Sequence, residues 1–461
     1  MSSYPLIIQG GMGIAVSNYR LAKAVSMAGQ LGVVSGTAID AVMAMRLHYG
    51  DILGNVRRSL NNFPVKEIGQ QMIEKFYNAN NKIKQMFKFT MPSLNMSREK
   101  EDEIVTANFS EVFLAKEGHK GIVGINFLEK IQFPNLAAIY GALLAGIDYI
   151  IMGAGIPKEI PAVIEKLTRH EKVEYTANVE NAKETKKIFF DPSRFGLSHL
   201  TLKRPKFLAI ISSNILAVTL MKKSAVAPDG FIIEGPEAGG HNAPPRVSGV
   251  FNEKGEPVYG EKDKVDLEKL KELNVPFWLA GSYGSKEGLK KALDLGAAGI
   301  QAGTVFAFSK EAGFTDDIKR KVISSGSINV KTDPLASPTG FPFKVADIEG
   351  TLSDESLYNA RQRVCNLGYL RSAYEKEDGS IGYRCAAEPV EMYVKKGGKL
   401  ENTKGRKCLC NGLMAACGYP LKTKSGEDEL PLVTMGDDYN AVISRPYGYS
   451  AADVVNEILG R

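Results

Sequence analysis

The chain has 461 residues, 44% hydrophobic and 24% charged, with a formal net charge of +6. That length exceeds one small domain and fits a large α/β domain with additions. The charge is modest, no basic block with interleaved aromatics occurs and no apolar run is long enough to span a bilayer, which sets aside nucleic-acid and membrane partners.

In chain order, apolar strands alternate with helices. The strand segments are 6–12, 31–36, 122–128, 149–153, 207–213, 230–234, 277–282 and 299–306. Most are continuous apolar runs, the pattern of parallel strands buried on both faces. Helical segments 18–28, 135–145, 158–168, 214–224 and 286–295 follow, several closing on glycine turns. Strands and helices in this alternation predict an α/β fold, a (β/α)8 TIM barrel over residues 1–312. A doubly wound sheet is the alternative, but its dinucleotide fingerprint is missing: Gly10-Gly-Met-Gly13 lacks the G-x-G-x-x-G spacing.

Two stretches interrupt the pattern. Residues of about 47–118 are long, charged and helix-rich, as in 70–88, and read as an insertion packed over one end of the barrel. Residues of about 169–206 form a smaller insertion. From 313 to 461 the composition shifts to Gly, Pro, Cys and Tyr, a C-terminal extension packed on the barrel and ending in a helix that Ser450 caps.

The run Phe231-Ile-Ile-Glu-Gly-Pro-Glu-Ala-Gly-Gly-His241 carries the strongest chemical signal. Gly239 and Gly240 let a flat ligand approach the backbone and offer their N–H groups, and His241 can exchange a proton there. A tight turn before a solvated histidine is the plainer reading. Leu279-Ala-Gly-Ser-Tyr-Gly284 and Gln301-Ala-Gly-Thr304 end consecutive strands in small residues and hydroxyls, the arrangement that cradles a phosphate. Gln9-Gly-Gly-Met12 suits close packing on a flat ring. Asn126, and Ser212 with Ser213, either bond a heterocycle or satisfy nearby backbone.

All five cysteines lie between Cys365 and Cys417. The chain start lacks signal-peptide features, so reduced structural thiols in a cytoplasmic protein are expected. Cys365, Cys385, Cys408 and Cys410 number enough for zinc or an iron–sulfur cluster, but C-x-C is not the usual paired spacing, and no metal is expected. His48, His119, His170 and His199 read as surface or capping residues.

Pro5-Leu-Ile-Ile-Gln-Gly-Gly-Met12, Leu21-Ala-Lys-Ala-Val25, Gly32-Val-Val-Ser35, Glu237-Ala-Gly-Gly-His241, Ala280-Gly-Ser and residues 292–304 together resemble the nitronate monooxygenase (2-nitropropane dioxygenase-like) family of FMN-dependent TIM barrels. Tail segments Asn366-Leu-Gly-Tyr-Leu-Arg371 and Arg406-Lys-Cys-Leu-Cys-Asn-Gly412 resemble those of longer bacterial members.

The resemblance implies non-covalent FMN, with Gly11 and Met12 against the ring and Asn126 bonding the ring or ribityl chain. It puts Gly239 and Gly240 close to the flavin, and Gly281, Ser282, Gln301, Ala302, Gly303 and Thr304 at the phosphate. Ser212 and Glu234 complete the cofactor set. Glu234 stands where many members have glutamine, which alters an amide contact, and Ser282 where many have a second glycine.

The activity implied is oxidation of alkyl nitronates with O2 to a carbonyl compound and nitrite, with His241 as the base for neutral nitroalkanes. The same parts serve an FMN-dependent enoyl-acyl-carrier-protein reductase or quinone reductase drawing on NAD(P)H. A non-catalytic flavin-binding partner protein is the third reading. The sequence leaves a homo-oligomer open.

Overall fold

The computed structural model describes residues 4–79 and 87–461. Eight strands pair in parallel: β1 (Ile7–Gln9), β2 (Gly32–Ser35), β3 (Val123–Leu128), β4 (Tyr149–Gly153), β5 (Lys206–Ile211), β6 (Gly230–Glu234), β7 (Phe277–Ala280) and β8 (Gly299–Ala302). Their order is β1-β8-β7-β6-β5-β4-β3-β2. Gln9 N–H to Leu31 O at 2.9 Å and Leu31 N–H to Ile7 O at 3.1 Å join the first strand to the start of β2. The sheet thus closes into the expected TIM barrel.

The period of two along each strand explains why these runs are apolar throughout. Ile8, Val33, Ile151, Leu208, Ile232 and Trp278 pack together inside the barrel. Their neighbours Ile7, Val34, Ile150, Phe207, Ile233 and Leu279 belong to the layer under the helices. Trp278 is wholly buried, and its indole N–H reaches Pro5 O at 2.8 Å, closing the floor.

Helices Tyr19–Met27, Gln132–Leu144, Ile160–Thr168, Asn214–Lys223 and Lys286–Asp294 fall where the sequence puts them. Asn18, Ser213 and Ser285 cap three of them with side-chain oxygens. The last strand is shorter than expected. It stops at Ala302, and Val305-Phe306 continue in a short buried helix, Thr304–Ala307. A brief apolar run fits either element, and here burial under the C-terminal segment decides it.

The long stretch after β2 has two parts. Ile39–His48, Asn55–Asn61 and Lys66–Phe76 pack on one another, whereas Arg98–Lys116 lies beside Tyr19–Met27 and Gln132–Leu144 as a ring helix of the barrel. Part of the helix-rich segment 70–88 falls outside the described residues. The smaller stretch is a hairpin, Val173–Ala177 with Lys186–Phe190. Between its strands Val179–Glu180 joins Ser372–Glu375 and Ile381–Arg384 in one sheet, tying it to the extension. The final helix, Ala451–Leu459, packs between Tyr19–Met27 and Lys286–Asp294, in the ring position following β8. No helix among the described residues is long and apolar enough to cross a membrane.

Candidate functional site

A cavity of about 830 Å³ opens at the C-terminal ends of the strands, the end at which loops of this fold converge. Gly11, Met12, Asn126, Ser212, Glu234, Gly239, Gly240, His241, Gly281, Ser282, Gln301, Ala302, Gly303 and Thr304 all line it. A Cβ on Gly11 would stand 2.4 Å from Asn126 Cβ, so the turn after β1 needs glycine to lie against β3. Gly281 and Ser282 both have left-handed backbones, with φ of +94° and +57°. Ser282 is strained there by roughly 1 kcal/mol, where a glycine would not be. Ser213, beside Ser212, is spent on the cap of Asn214–Lys223.

Three expected backbone and hydroxyl contacts are instead taken by the C-terminal extension. Gly240 N–H donates to Thr434 Oγ1 at 2.8 Å. A Cβ on Gly239 would meet Met435 C at 2.8 Å, so this glycine admits the returning chain. Thr304 Oγ1 accepts Gly436 N–H at 2.9 Å and bonds the Asp438 carboxyl group. Gly240 N–H and the Thr304 hydroxyl are thus already bonded within the chain. Their partners lie more than a hundred residues away, beyond the reach of local pattern.

His241 is fixed from the extension as well. Its Nε2 lies 2.7 Å from Ser337 Oγ, and its ring packs edge-on to Phe343 at 4.8 Å. Arg406 holds the serine loop by donating to Ser337 O at 2.6 Å and Leu335 O at 2.8 Å. Burial, reinforced by the charge of Lys130, keeps the imidazole well below its usual pKa, so it is neutral at working pH.

Lys130 escapes a reading of local sequence, because a lysine just after a strand looks solvated. Its Nζ is buried without a hydrogen-bond partner, 4.8 Å from the centroid of Phe341. Burial lowers its pKa to about 7. Neighbouring Glu129 is occupied by Tyr175 OH at 2.7 Å and Gln132 Nε2 at 2.8 Å. Burial also raises Glu234, on the cavity wall, to about 7, with the Lys130 charge opposing.

Gln301 Oε1 is buried and unpartnered in this lining. An acceptor left so costs about 1–3 kcal/mol, which a ligand N–H would relieve. A planar heterocycle with a ring N–H, laid along glycine-rich turns, fits these residues.

Of the five thiols only Cys410 lines the cavity. All five cysteines are free, and burial raises Cys410, on the cavity wall, and Cys417 to about 12. Among the described residues no group of His, Cys, Asp or Glu is arranged to hold a metal ion. His119 bonds Ala115 O at the end of a helix and His199 is exposed, but His48 is buried beside Tyr49 and Phe87, contrary to the surface expected for it.

Comparison with known proteins points the same way. A probable nitronate monooxygenase of Staphylococcus saprophyticus is 28% identical over 206 residues, 44% of each chain. One of Bacillus subtilis is 30% identical over 127 residues, 27% of this chain and 34% of that one. The matches thus span less than half the length of these relatives. FabK from Thermotoga maritima superposes with a TM-score of 0.50 at 16% identity, over 99% of this chain and 92% of that one, a likeness of fold. The family model for nitronate monooxygenase matches residues 158–337, the segment that carries β5 to β8, Glu234, His241 and Ser337. Over that segment the chain is similar to the nitronate monooxygenase family.

Proposed function

We propose that this protein is an FMN-dependent oxidoreductase that oxidises alkyl nitronates with O2 to a carbonyl compound and nitrite. The observation that carries the reading is His241, neutral and buried in the wall of a cavity whose orphaned Gln301 Oε1 awaits a donor. Gly11, Met12 and Asn126 would hold the ring, with Gln301 meeting a ring N–H. Gly281, Ser282 and the backbone of 302–304 would hold the phosphate. When bound, FMN supplies the redox chemistry, accepting electrons from the substrate and passing them to oxygen.

The chain's own part is position and proton transfer. A neutral imidazole can take the α-proton of a nitroalkane at one nitrogen while the Ser337 bond fixes the other. A nitronate supplied as such does not need that step. Apolar side chains of the lining, among them Ile131, Ile211 and Leu216, would exclude water from the site.

Anaerobic bleaching of the flavin absorbance by a nitronate, in parallel with NADPH and NADH, tests the reading. Rapid bleaching by the nitronate, then oxygen uptake on aeration, is expected; bleaching by the nicotinamides alone would replace it with a reductase. In the same assay His241→Asn should retain flavin and nitronate turnover but lose about 100-fold or more on neutral nitroalkanes. Full activity of that variant on nitroalkanes would remove His241 from the role of base.

A further inference from the structure

The two turns that the sequence assigns to a phosphate hold a carboxylate between them. Asp438, brought in by the extension, lines the same cavity as Ser282, Gly303 and Thr304. Its carboxyl group bonds the Thr304 side chain, and its Oδ2 lies 3.4 Å from the place a Cβ on Gly284 would take. Both turns, after β7 and after β8, therefore close on the same acid.

The charges around Asp438 do not neutralise it. Among the described residues no lysine or arginine pairs with it within 4 Å. Lys344, on the strand Phe343–Ala346, spends its Nζ on Asp437 Oδ1 at 2.7 Å and Thr332 Oγ1 at 3.0 Å. Asp437 adds a like charge next door. From the loop after β6, Glu237 sets its Oε2 3.3 Å from the Cβ position of Gly281, and Tyr283 completes the wall. Burial already favours the neutral form of Asp438, raising its pKa above the usual carboxylate range.

An incoming phosphate group adds one to two negative charges to this end. Two anions in a poorly solvated space cannot both stay ionised without large cost, so the pair holds one proton between them. With that proton between them, the repulsion of carboxylate and phosphate becomes an O–H···O bond.

We propose that Asp438 makes cofactor binding proton-coupled: the site accepts a phosphorylated flavin only as the pair formed by Asp438 and the phosphate takes up a proton, and it discriminates by pH between phosphorylated and unphosphorylated flavin. The proposal rests on the flavin reading of the cavity. It gives the extension a direct part in choosing the cofactor.

The test is binding of FMN and riboflavin to flavin-free full-length protein, read by quenching of flavin fluorescence between pH 6 and 9. For wild type, the FMN Kd should rise with pH, up to about tenfold per pH unit, while riboflavin stays flat. Asp438→Asn keeps the shape and an acceptor for Thr304. It should bind FMN about tenfold or more tightly than wild type at pH 8.5, leaving only the slope due to the phosphate's own ionisation.

FMN binding with wild-type affinity and slope in Asp438→Asn would overturn the proposal and leave the flavin reading intact. Failure of either flavin to bind wild type would overturn both. Should Asp438→Asn not fold, wild type suffices: calorimetric titration at pH 8 in two buffers of different ionisation enthalpy should show uptake of close to one proton with FMN and none with riboflavin. No uptake with FMN would refute the coupling.

Discussion

Lys130 and Glu234 show how much a single residue's surroundings change its chemistry. Glu234 titrates at about 7 in the fold against an ordinary 4.5, so its contribution to stability is full below 4.5 and is lost as pH rises to 7. Lys130 titrates at about 7 against 10.5, so its contribution is full above 10.5 and is lost as pH falls to 7. Both penalties are therefore greatest near neutrality. Lys130→Met should be more stable than wild type at pH 7. Its urea midpoint should fall between pH 7 and pH 9, where that of wild type rises, because loss of the Lys130 charge lets Glu234 rise further and moves the loss of its contribution above pH 7. Matching pH profiles of the two proteins would mean that Lys130 ionises as a solvated lysine does. Local pattern gives no sign of this pair, since 104 residues separate a lysine after β3 from an acid at the end of β6. His241 was legible because two glycines and an apolar strand precede it, but its partner Ser337 was not.

Elements whose burial follows their own period are legible in the sequence. The barrel strands are apolar on both faces and stand out as runs. The helix Arg98–Lys116 does not: it buries Lys100, Glu103, Asn108 and Glu111 together with its apolar residues, so no apolar stripe marks it as part of the ring. Of these, Lys100, Glu103 and Glu111 are paired across elements, whereas Asn108 bonds Ile104 O of its own helix. Lys100 Nζ reaches Asp40 at 2.6 Å and Glu103 at 2.9 Å, and Glu111 pairs with Arg46. The last helix was legible through its cap. Ser450 Oγ accepts from Asp453 N–H at 3.1 Å, and Asp453 answers on Ser450 N–H at 2.7 Å. Ser450→Ala should cost about 1 kcal/mol in urea unfolding, and Ser450→Asp close to nothing. An equal loss in both would mean that the serine acts through packing, not through the cap.

At the scale of the whole molecule, the extension completes the cavity and is not needed to close the barrel. Its two ends meet: Lys310 N–H bonds Tyr449 O at 2.9 Å, Tyr449 OH bonds Val305 O at 2.8 Å, and Ala451 N–H bonds Glu311 Oε2 at 2.9 Å. A short linker can therefore join residue 312 to residue 449 and leave Ala451–Leu459 in the ring. What such an excision removes is Ser337 from His241, Thr434 from Gly240, and Gly436 and Asp438 from Thr304. It also removes Phe341 and Phe343 from the wall and takes Leu409, Met414 and Val433 out of the apolar core that the extension shares with the barrel. Exposed apolar area of that extent drives association. The excised chain should run as aggregate on size exclusion and hold no flavin, whereas a full-length protein carrying only Ser337→Ala should remain monodisperse and yellow. A monodisperse, flavin-loaded barrel without residues 313–448 that still turned over nitroalkanes would reduce the extension to an accessory. The network from Arg406 through Ser337 to His241 argues for the opposite outcome, because the His241 ring takes its orientation from a segment that only the extension supplies.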